Sequence, residues 1–197
     1  MLFRSIAAIG AGLNSTVDLR LPDIVTLSLK QAITNGFRVY GTVEYTQWSK
    51  FKELRIVSEA TGVTVLGVKT PGQTVGVIDA SWKDGWFYSV GADFDVTRQL
   101  TLRTGLAYEK SPVPDAQHRI LGIPDADRIW ASVGATYNLS ESIGIDFGYS
   151  HVFVKSAQVD RFNVSNTVRI VADLDAKADI FSLALKMKLG GASEPLK

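Results

Sequence analysis

The sequence contains no cysteine, which excludes disulfide frameworks, thiolate metal sites and thiol catalysis. Its 21 basic and 20 acidic residues leave a formal net charge of +1, so no electrostatic steering of nucleic acid is expected. No stretch approaches the about 20 consecutive apolar residues that a membrane-spanning helix needs. Apolar residues still make up 46% of the 197 positions, enough for one folded unit, and they leave a soluble protein or a β-barrel as the alternatives.

The first residues, MLFRSIAAIGAGL, combine one arginine with a short apolar run and weakly resemble a secretory signal peptide. Gly10 and Gly12 interrupt that run, and no small-residue cleavage site follows it. A sequencing-adapter end would also encode most of positions 1–5. We therefore interpret 1–14 as a segment that is either non-native or a loop.

Strict alternation of apolar and polar side chains is the dominant pattern, and it is clearest in the stretch 100–109. A period of two indicates a β-strand with two chemically different faces. The apolar face of this strand holds Leu100, Leu102, Thr104, Leu106 and Tyr108, and the other face holds Thr101, Arg103, Gly105, Ala107 and Glu109.

The same alternation recurs along the chain and predicts seven strands. They begin near Asp23, Phe37, Trp82, Leu100, Asp127, Ile143 and Phe181, the second being expected to run from Phe37 to about Leu54. The connections alternate between short turns, such as the one at Asn35-Gly36, and long segments after 56, over 111–126 and over 156–176. The first long segment could contain a small hairpin.

Short turns on one side and long loops on the other are typical of outer-membrane barrels. The aromatic residues fall into two groups about one membrane thickness apart, as in the two girdles of such barrels. The group near the short turns is Phe37, Phe94 and Tyr137, and the group near the long loops is Tyr45, Trp86, Tyr108 and Tyr149. A soluble aromatic core is the alternative interpretation.

Several segments resemble the FadL-like family of outer-membrane transporters of long-chain fatty acids and aromatic hydrocarbons (OMPP1/FadL/TodX). The most specific segment is LRTGLAYEKSPVPD followed by IPDADRIWASVGATY; LPDIVTLSL, YTQWSKFKELRI and WKDGWFYSVGADF also match. The resemblance implies an all-β, antiparallel, up-and-down transmembrane β-barrel of 14 strands with an N-terminal plug, of which about seven strands are present here.

This resemblance predicts that 15–190 form the C-terminal half of the barrel and that 191–197 are a tail. The plug and the first-half strands are not in the sequence, and the chain does not end in the aromatic residue that usually closes the last strand of such barrels. Unpaired strand edges are costly in lipid. We therefore expect the chain to be part of a protein about twice as long, whose N-terminal half is its partner.

The residues favour a binding function over catalysis. His118 and His151 lie far apart in the sequence without metal-ligand spacing, so we expect no metal, no cofactor and no enzyme activity. The expected function is passive transport of long-chain fatty acids or other hydrophobic compounds across the bacterial outer membrane, with outer-membrane lipid around the barrel. A structural or adhesive barrel with partner-binding loops is the alternative, and a soluble lipid-binding barrel is a third.

The candidate ligand-binding residues are Arg103, Ile123, Asp125, Arg128 and Trp130. Charged residues of the expected lumen, Arg103 among them, could form a mutually neutralising network, or Arg103 could attract a substrate carboxylate. In the loop SPVPDAQHRILGIPDADR, the Asp and Arg side chains could pair within the loop or contact ligand. Apolar side chains nearby could line the entry of a greasy channel, namely Ile120, Leu121, Ile123 and Trp130.

Overall fold

The structure is a computed structural model of the chain and describes residues 2–4, 15–58, 74–163 and 166–188. Thirteen strands and one short 3₁₀ helix, Trp48–Lys50, lie in these ranges. The strands are β1 (Leu2–Arg4), β2 (Ser15–Asp18), β3 (Ile24–Thr34), β4 (Phe37–Thr46), β5 (Glu53–Ser58), β6 (Thr74–Asp79), β7 (Gly85–Asp95), β8 (Leu100–Lys110), β9 (Arg128–Asn138), β10 (Ile143–Val154), β11 (Ala157–Phe162), β12 (Arg169–Leu174) and β13 (Lys177–Met187). Among the described residues, no helix is long and apolar enough to cross a membrane.

Seven long strands form one antiparallel sheet in the order β3-β4-β7-β8-β9-β10-β13. Their order in the sheet is also their order along the chain, which makes the sheet an up-and-down meander. This confirms the prediction of seven antiparallel strands, and the last of them begins at Lys177. Within the described ranges the sheet is open, with β3 and β13 at its two edges.

The sheet has an apolar face and a polar face, as the alternation predicts. The apolar face carries Leu27, Leu106 and Leu183, which are 75%, 58% and 77% exposed. The polar face carries Arg38, Asp93, Arg103 and Asp146. A continuous exposed apolar surface of this kind is unfavourable in water and marks contact with another apolar medium or partner.

All short connections lie at one end of the strands of this sheet, and all long connections lie at the other end. The short turns are 35–36, 96–99 and 139–142, and the long connections are 47–84, 111–127 and 155–176. Aromatic residues lie near both ends of the strands. Phe37 pairs with Phe94 beside the short turns, whereas the ring centroids of Tyr45 and Trp86 lie 5.0 Å apart beside the long loops.

The prediction of one strand from Phe37 to about Leu54 is wrong, because β4 ends at Thr46. The chain turns at Gln47 into the 3₁₀ helix, and β5 then pairs with β6 in a separate sheet with β1 and β2. The segment 156–176, interpreted as a loop, contains the hairpin of β11 and β12. The hairpin expected after 56 falls partly on 59–73, which lie outside the described residues.

The long connections pack into a small core of their own, which we name the loop layer: Phe51, Ala80, Trp82, Val113 and Ile120. These five residues are at most 8% exposed. Trp82 lies at the centre, 4.8 Å from the Phe51 ring and 5.2 Å from the Trp48 ring. Its indole N–H also donates to the carbonyl of His118 at 3.3 Å, which joins two of the long connections.

Asp84 ties this loop layer to the sheet. Its carboxylate accepts a hydrogen bond from the Tyr45 hydroxyl at 2.6 Å and another from the backbone N–H of Ser49 at 2.9 Å. The hydrogen bond from Tyr45, and to a smaller extent the hydrogen bonding of Ser49, lower the pKa of Asp84 below its ordinary value. The ionised form is therefore the one that holds the loop in place.

We expect Trp82→Ala to open the loop layer while leaving the seven-stranded sheet intact. Replacing a buried tryptophan by alanine in a packed core costs about 3–5 kcal/mol. Limited proteolysis of the folded protein should cut the 47–84 connection faster in this variant, with unchanged β content by circular dichroism. Phe94→Ala is the control, because Phe94 is an exposed aromatic residue of the apolar face beside the short turns, away from the loop layer; equal cleavage of both variants would contradict the assignment.

The lowered pKa of Asp84 predicts a pH dependence of local stability. A carboxylate whose pKa is lowered on folding stabilises the folded state above its ordinary pKa of about 3.9, and this contribution is lost as the pH falls through the lowered value. Hydrogen-exchange protection of the Ser49 amide should therefore decrease below about pH 4. Asp84→Asn should have weaker protection at neutral pH without this acid-dependent decrease; the same acid profile in both proteins would refute the role of Asp84.

Candidate functional site

The polar face near the short turns holds a tightly paired arginine. Arg38 donates from Nε to Asp93 at 2.5 Å and from both terminal nitrogens to Asp95 at 2.6 and 2.8 Å. Tyr40 donates to Asp93 at 2.7 Å, and Thr101 donates to Asp95 at 2.8 Å. The charge and hydrogen-bonding capacity of Arg38 are thus used within the wall, as expected for a neutralising network.

Arg103 is held more loosely than Arg38. Its guanidinium is 3.5 Å from Asp146, and its side chain is 41% exposed against 22% for Arg38. Asp146 already has closer partners in Thr136 and Lys186. A cation whose counter-ion is shared in this way keeps donors available for a further anion.

A third polar group lies where β9 begins, beside the long loops. Arg128 pairs with Asp125, and its Nε lies 3.5 Å from Glu109. Glu109 also accepts from the Trp130 indole at 3.2 Å, and Asp125 accepts from the Ser111 hydroxyl at 2.6 Å. Asp125 and Arg128 therefore pair within the loop and its strand ends, the structural alternative considered for these residues.

A cavity of about 430 Å³ opens on the polar face between the Arg38 group and Trp130. Its walls combine three aromatic side chains, small residues and two charged groups. The polar-face residues that line it are Tyr40, Phe87, Ser89, Gly91, Asp93, Arg103, Gly105, Ala107, Trp130 and Ser132. The small residues Gly91 and Gly105 pair across β7 and β8 and keep the floor of this cavity low.

Of the five candidate ligand-binding residues, only Arg103 and Trp130 line this cavity. Trp130 is linked to the loop residues Asp125 and Arg128 through Glu109. Ile123 lies in the long connection after β8, is 50% exposed and contributes to none of these contacts. The structure thus places two candidates at the cavity and two in an ion pair of the loop, whereas Ile123 belongs to neither group.

Phe87 and Tyr40 are the two aromatic residues of the cavity that were not selected from the sequence. Phe87 stands between Trp86 and Tyr88, and the alternation of the strand turns only this middle aromatic residue to the polar face. The parity of the strand was the available signal. Tyr40 could be assigned to the polar face by the same rule, but its bond to Asp93 was not predictable.

The histidines sit in separate surroundings. His118 Nδ1 lies 2.6 Å from Asp115 in a long connection, and His151 Nδ1 lies 2.7 Å from Asp179 on the apolar face. Among the residues that the structure describes, no group of three or more His, Asp or Glu side chains could hold a metal ion.

The sequence matches, over residues 2–189, the family model of the outer membrane protein transport proteins (OMPP1/FadL/TodX). It is 36% identical over 165 residues to the 47 kDa outer membrane protein of Pasteurella multocida, which covers 84% of this chain and 36% of that protein. It is 33% identical over 143 residues to a long-chain fatty acid transport protein of Escherichia coli, covering 73% and 29%.

The fold is similar to solved structures of the same kind. A Pseudomonas aeruginosa FadL homologue matches with a TM-score of 0.77 at 28% identity, over 88% of this chain and 37% of that one. The Pseudomonas putida toluene transporter TodX shares the fold, with a TM-score of 0.60 at 14% identity, over 91% and 38%. The chain spans about a third of the length of the curated relatives it matches. Because the family model matches nearly all of its residues, the chain belongs to the OMPP1/FadL/TodX family of outer membrane transport proteins, as the SPVPD and PDADR segments indicated.

Proposed function

We propose that this chain forms part of the wall of an outer-membrane channel through which hydrophobic molecules pass without an energy source or cofactor. Long-chain fatty acids and aromatic hydrocarbons are the two substrate classes. The names of the relatives, a long-chain fatty acid transport protein and a toluene transporter, support this choice. The relatives are transporters and not enzymes, which supports a function in transport without catalysis.

The cavity beside Arg103 and Trp130 is the observation that carries the proposal. A site for an apolar molecule with an anionic head needs an apolar pocket and one or two well-placed polar groups. Phe87 and Trp130 supply apolar surface, and Arg103 supplies the cation. The volume of this cavity, about 430 Å³, lies within the range of about 300–1,000 Å³ that is usual for small-molecule sites.

Arg103, which lines this cavity, is a better carboxylate ligand than Arg38, which does not. Arg38 is already saturated by two aspartates, whereas Arg103 shares Asp146 with Lys186. A guanidinium binds a carboxylate through two parallel hydrogen bonds, which also fixes the orientation of the molecule. We propose that Trp130 contacts the hydrocarbon part of either substrate class.

The loop candidates would act at the entry. The Asp125 and Arg128 pair holds the end of the long connection against the start of β9. Ile123 is exposed on the same connection and would offer apolar surface to an incoming molecule. We propose that the pair positions this entry surface and that Ile123 contacts substrate transiently.

We further propose that 15–190 form the C-terminal half of a barrel, with the seven-stranded sheet as a continuous part of its wall and with 1–14 and 191–197 outside that wall. The open edges at β3 and β13 and the greater length of the relatives support a wall that other residues complete. An unpaired backbone group in lipid costs several kcal/mol, so both edges need strands beside them. Outer-membrane lipid would cover the apolar face.

A structural or adhesive barrel is the second candidate. The packed loop layer around Trp82 supports it, because a preformed surface of this kind could bind a partner. The two functions differ in a simple measurement: reconstituted full-length protein carrying this segment either does or does not increase the entry of labelled fatty acid into vesicles.

We expect Arg103→Ala, in the full-length protein, to weaken the uptake of a labelled long-chain fatty acid about tenfold, because a hydrogen bond to a charged group contributes about 1.5–3 kcal/mol and Arg103 is partly exposed. Uptake of a neutral aromatic hydrocarbon should be unchanged. Trp130→Ala should reduce the uptake of both. Initial uptake rates into vesicles at several substrate concentrations provide the measurement.

Arg103→Lys is the matched control for charge, and it should retain part of the fatty-acid uptake. A parent protein that transports neither substrate, while its loops still bind a partner, would support the adhesive function. Unchanged fatty-acid uptake by folded Arg103→Ala would remove Arg103 from the site. Equal losses for both substrates in that variant would assign Arg103 a structural role.

A further inference from the structure

The apolar face contains a hollow over Gly41, in the middle of β4. A Cβ added at Gly41 would have only one neighbour within contact range, the carbonyl oxygen of Ser89 at 4.0 Å. Larger side chains from five strands surround this position and leave a depression of about 630 Å³. The apolar-face residues that line it include Leu27, Leu29, Val43, Tyr88, Val90, Leu106, Tyr108 and Ile129.

A basic residue stands at the outer end of this hollow. Tyr88 and Tyr108 face each other across β7 and β8, and Lys110 is the next residue of β8 on the same face, opposite Trp86. Lys110 is exposed, and it forms no ion pair among the described residues, unlike Lys50 and Lys186. An apolar depression with a free ammonium group beyond its aromatic rim is complementary to an amphiphile with an anionic head.

The wall under the hollow is closed. The register of β4 with β7 runs without interruption from Phe37 and Phe94 to Thr46 and Gly85, and that of β7 with β8 is equally continuous. No gap between these strands connects the hollow to the cavity on the polar face. An occupant therefore arrives from the membrane and not from the transport route.

We propose that this hollow binds one acyl chain of a phosphorylated outer-leaflet lipid whose phosphate pairs with Lys110. The acyl chain covers Gly41 and contacts Leu106 and Val90. Its methylenes pack more closely in this hollow than lipid tails pack against a flat wall. Anionic lipid head groups attract basic residues at the membrane surface. The inference rests on the membership of the family and the closed wall, and not on the proposed transport.

The test uses full-length protein reconstituted with phosphatidylethanolamine and a minor fraction of diphosphorylated lipid A, followed by native mass spectrometry. The parent should retain lipid A. Gly41→Leu fills the hollow and should reduce retention about tenfold, with Gly41→Ala intermediate. Lys110→Gln should retain diphosphorylated and dephosphorylated lipid A equally, whereas the parent should prefer the phosphorylated form.

Two control variants separate the site from the rest of the surface. Ala135→Leu makes a small-to-large change on the same face outside the hollow. Lys155→Gln removes the charge of an exposed lysine that directly follows the end of β10, beside the long loops. Both should retain lipid A like the parent. Undiminished retention by Gly41→Leu, an unchanged preference in Lys110→Gln, or displacement of the lipid by transported fatty acid would each overturn the proposal.

Discussion

Backbone N–H and C=O groups that face hydrocarbon have no water to bond with, so each must pair within the protein. The five inner strands of the seven-stranded sheet, of 10 to 12 residues, meet this condition because each has an antiparallel neighbour on both sides. The register shifts only between β3 and β4, next to the turn at 35–36. Once every strand spans the same layer, side chains must alternate between two media. Three features follow from this pairing: the apolar face, the aromatic residues near the two ends of the strands, and the separation of short turns from long loops.

The polar face must accommodate charges that the barrel wall brings close together. Several of them neutralise each other: Arg38 is paired with Asp93 and Asp95, and Lys186 is paired with Asp146. This leaves Arg103 as a cation with a distant and shared counter-ion beside an aromatic cavity. Lys30, a second polar-face cation, lies over the Tyr40 ring, whereas Arg103 itself lines the cavity. We therefore propose Arg103 as the point where a substrate anion binds.

The strands and their faces could be predicted from the sequence because a period of two is a local property. The same rule placed Arg103 and Trp130 on one face, and the structure puts both at one cavity. The loop layer could not be predicted, since Trp48, Phe51 and Trp82 pack through contacts between distant segments. That packing ends β4 at Thr46, where local alternation favoured a longer strand. Phe87 was not among the candidates, although the parity of its strand places it on the polar face.

The central claim is that β8 separates lipid on one side from a substrate cavity on the other. The most direct test introduces single cysteines at the adjacent positions Leu106 and Ala107 of the full-length protein. This chain has no cysteine of its own that would react in their place. A label on Leu106→Cys should be quenched by a lipid-dissolved quencher. A water-soluble thiol reagent should modify Ala107→Cys, and fatty acid should protect it. Equal behaviour at both positions, or modification of Ala107→Cys that fatty acid does not slow, would contradict the claim.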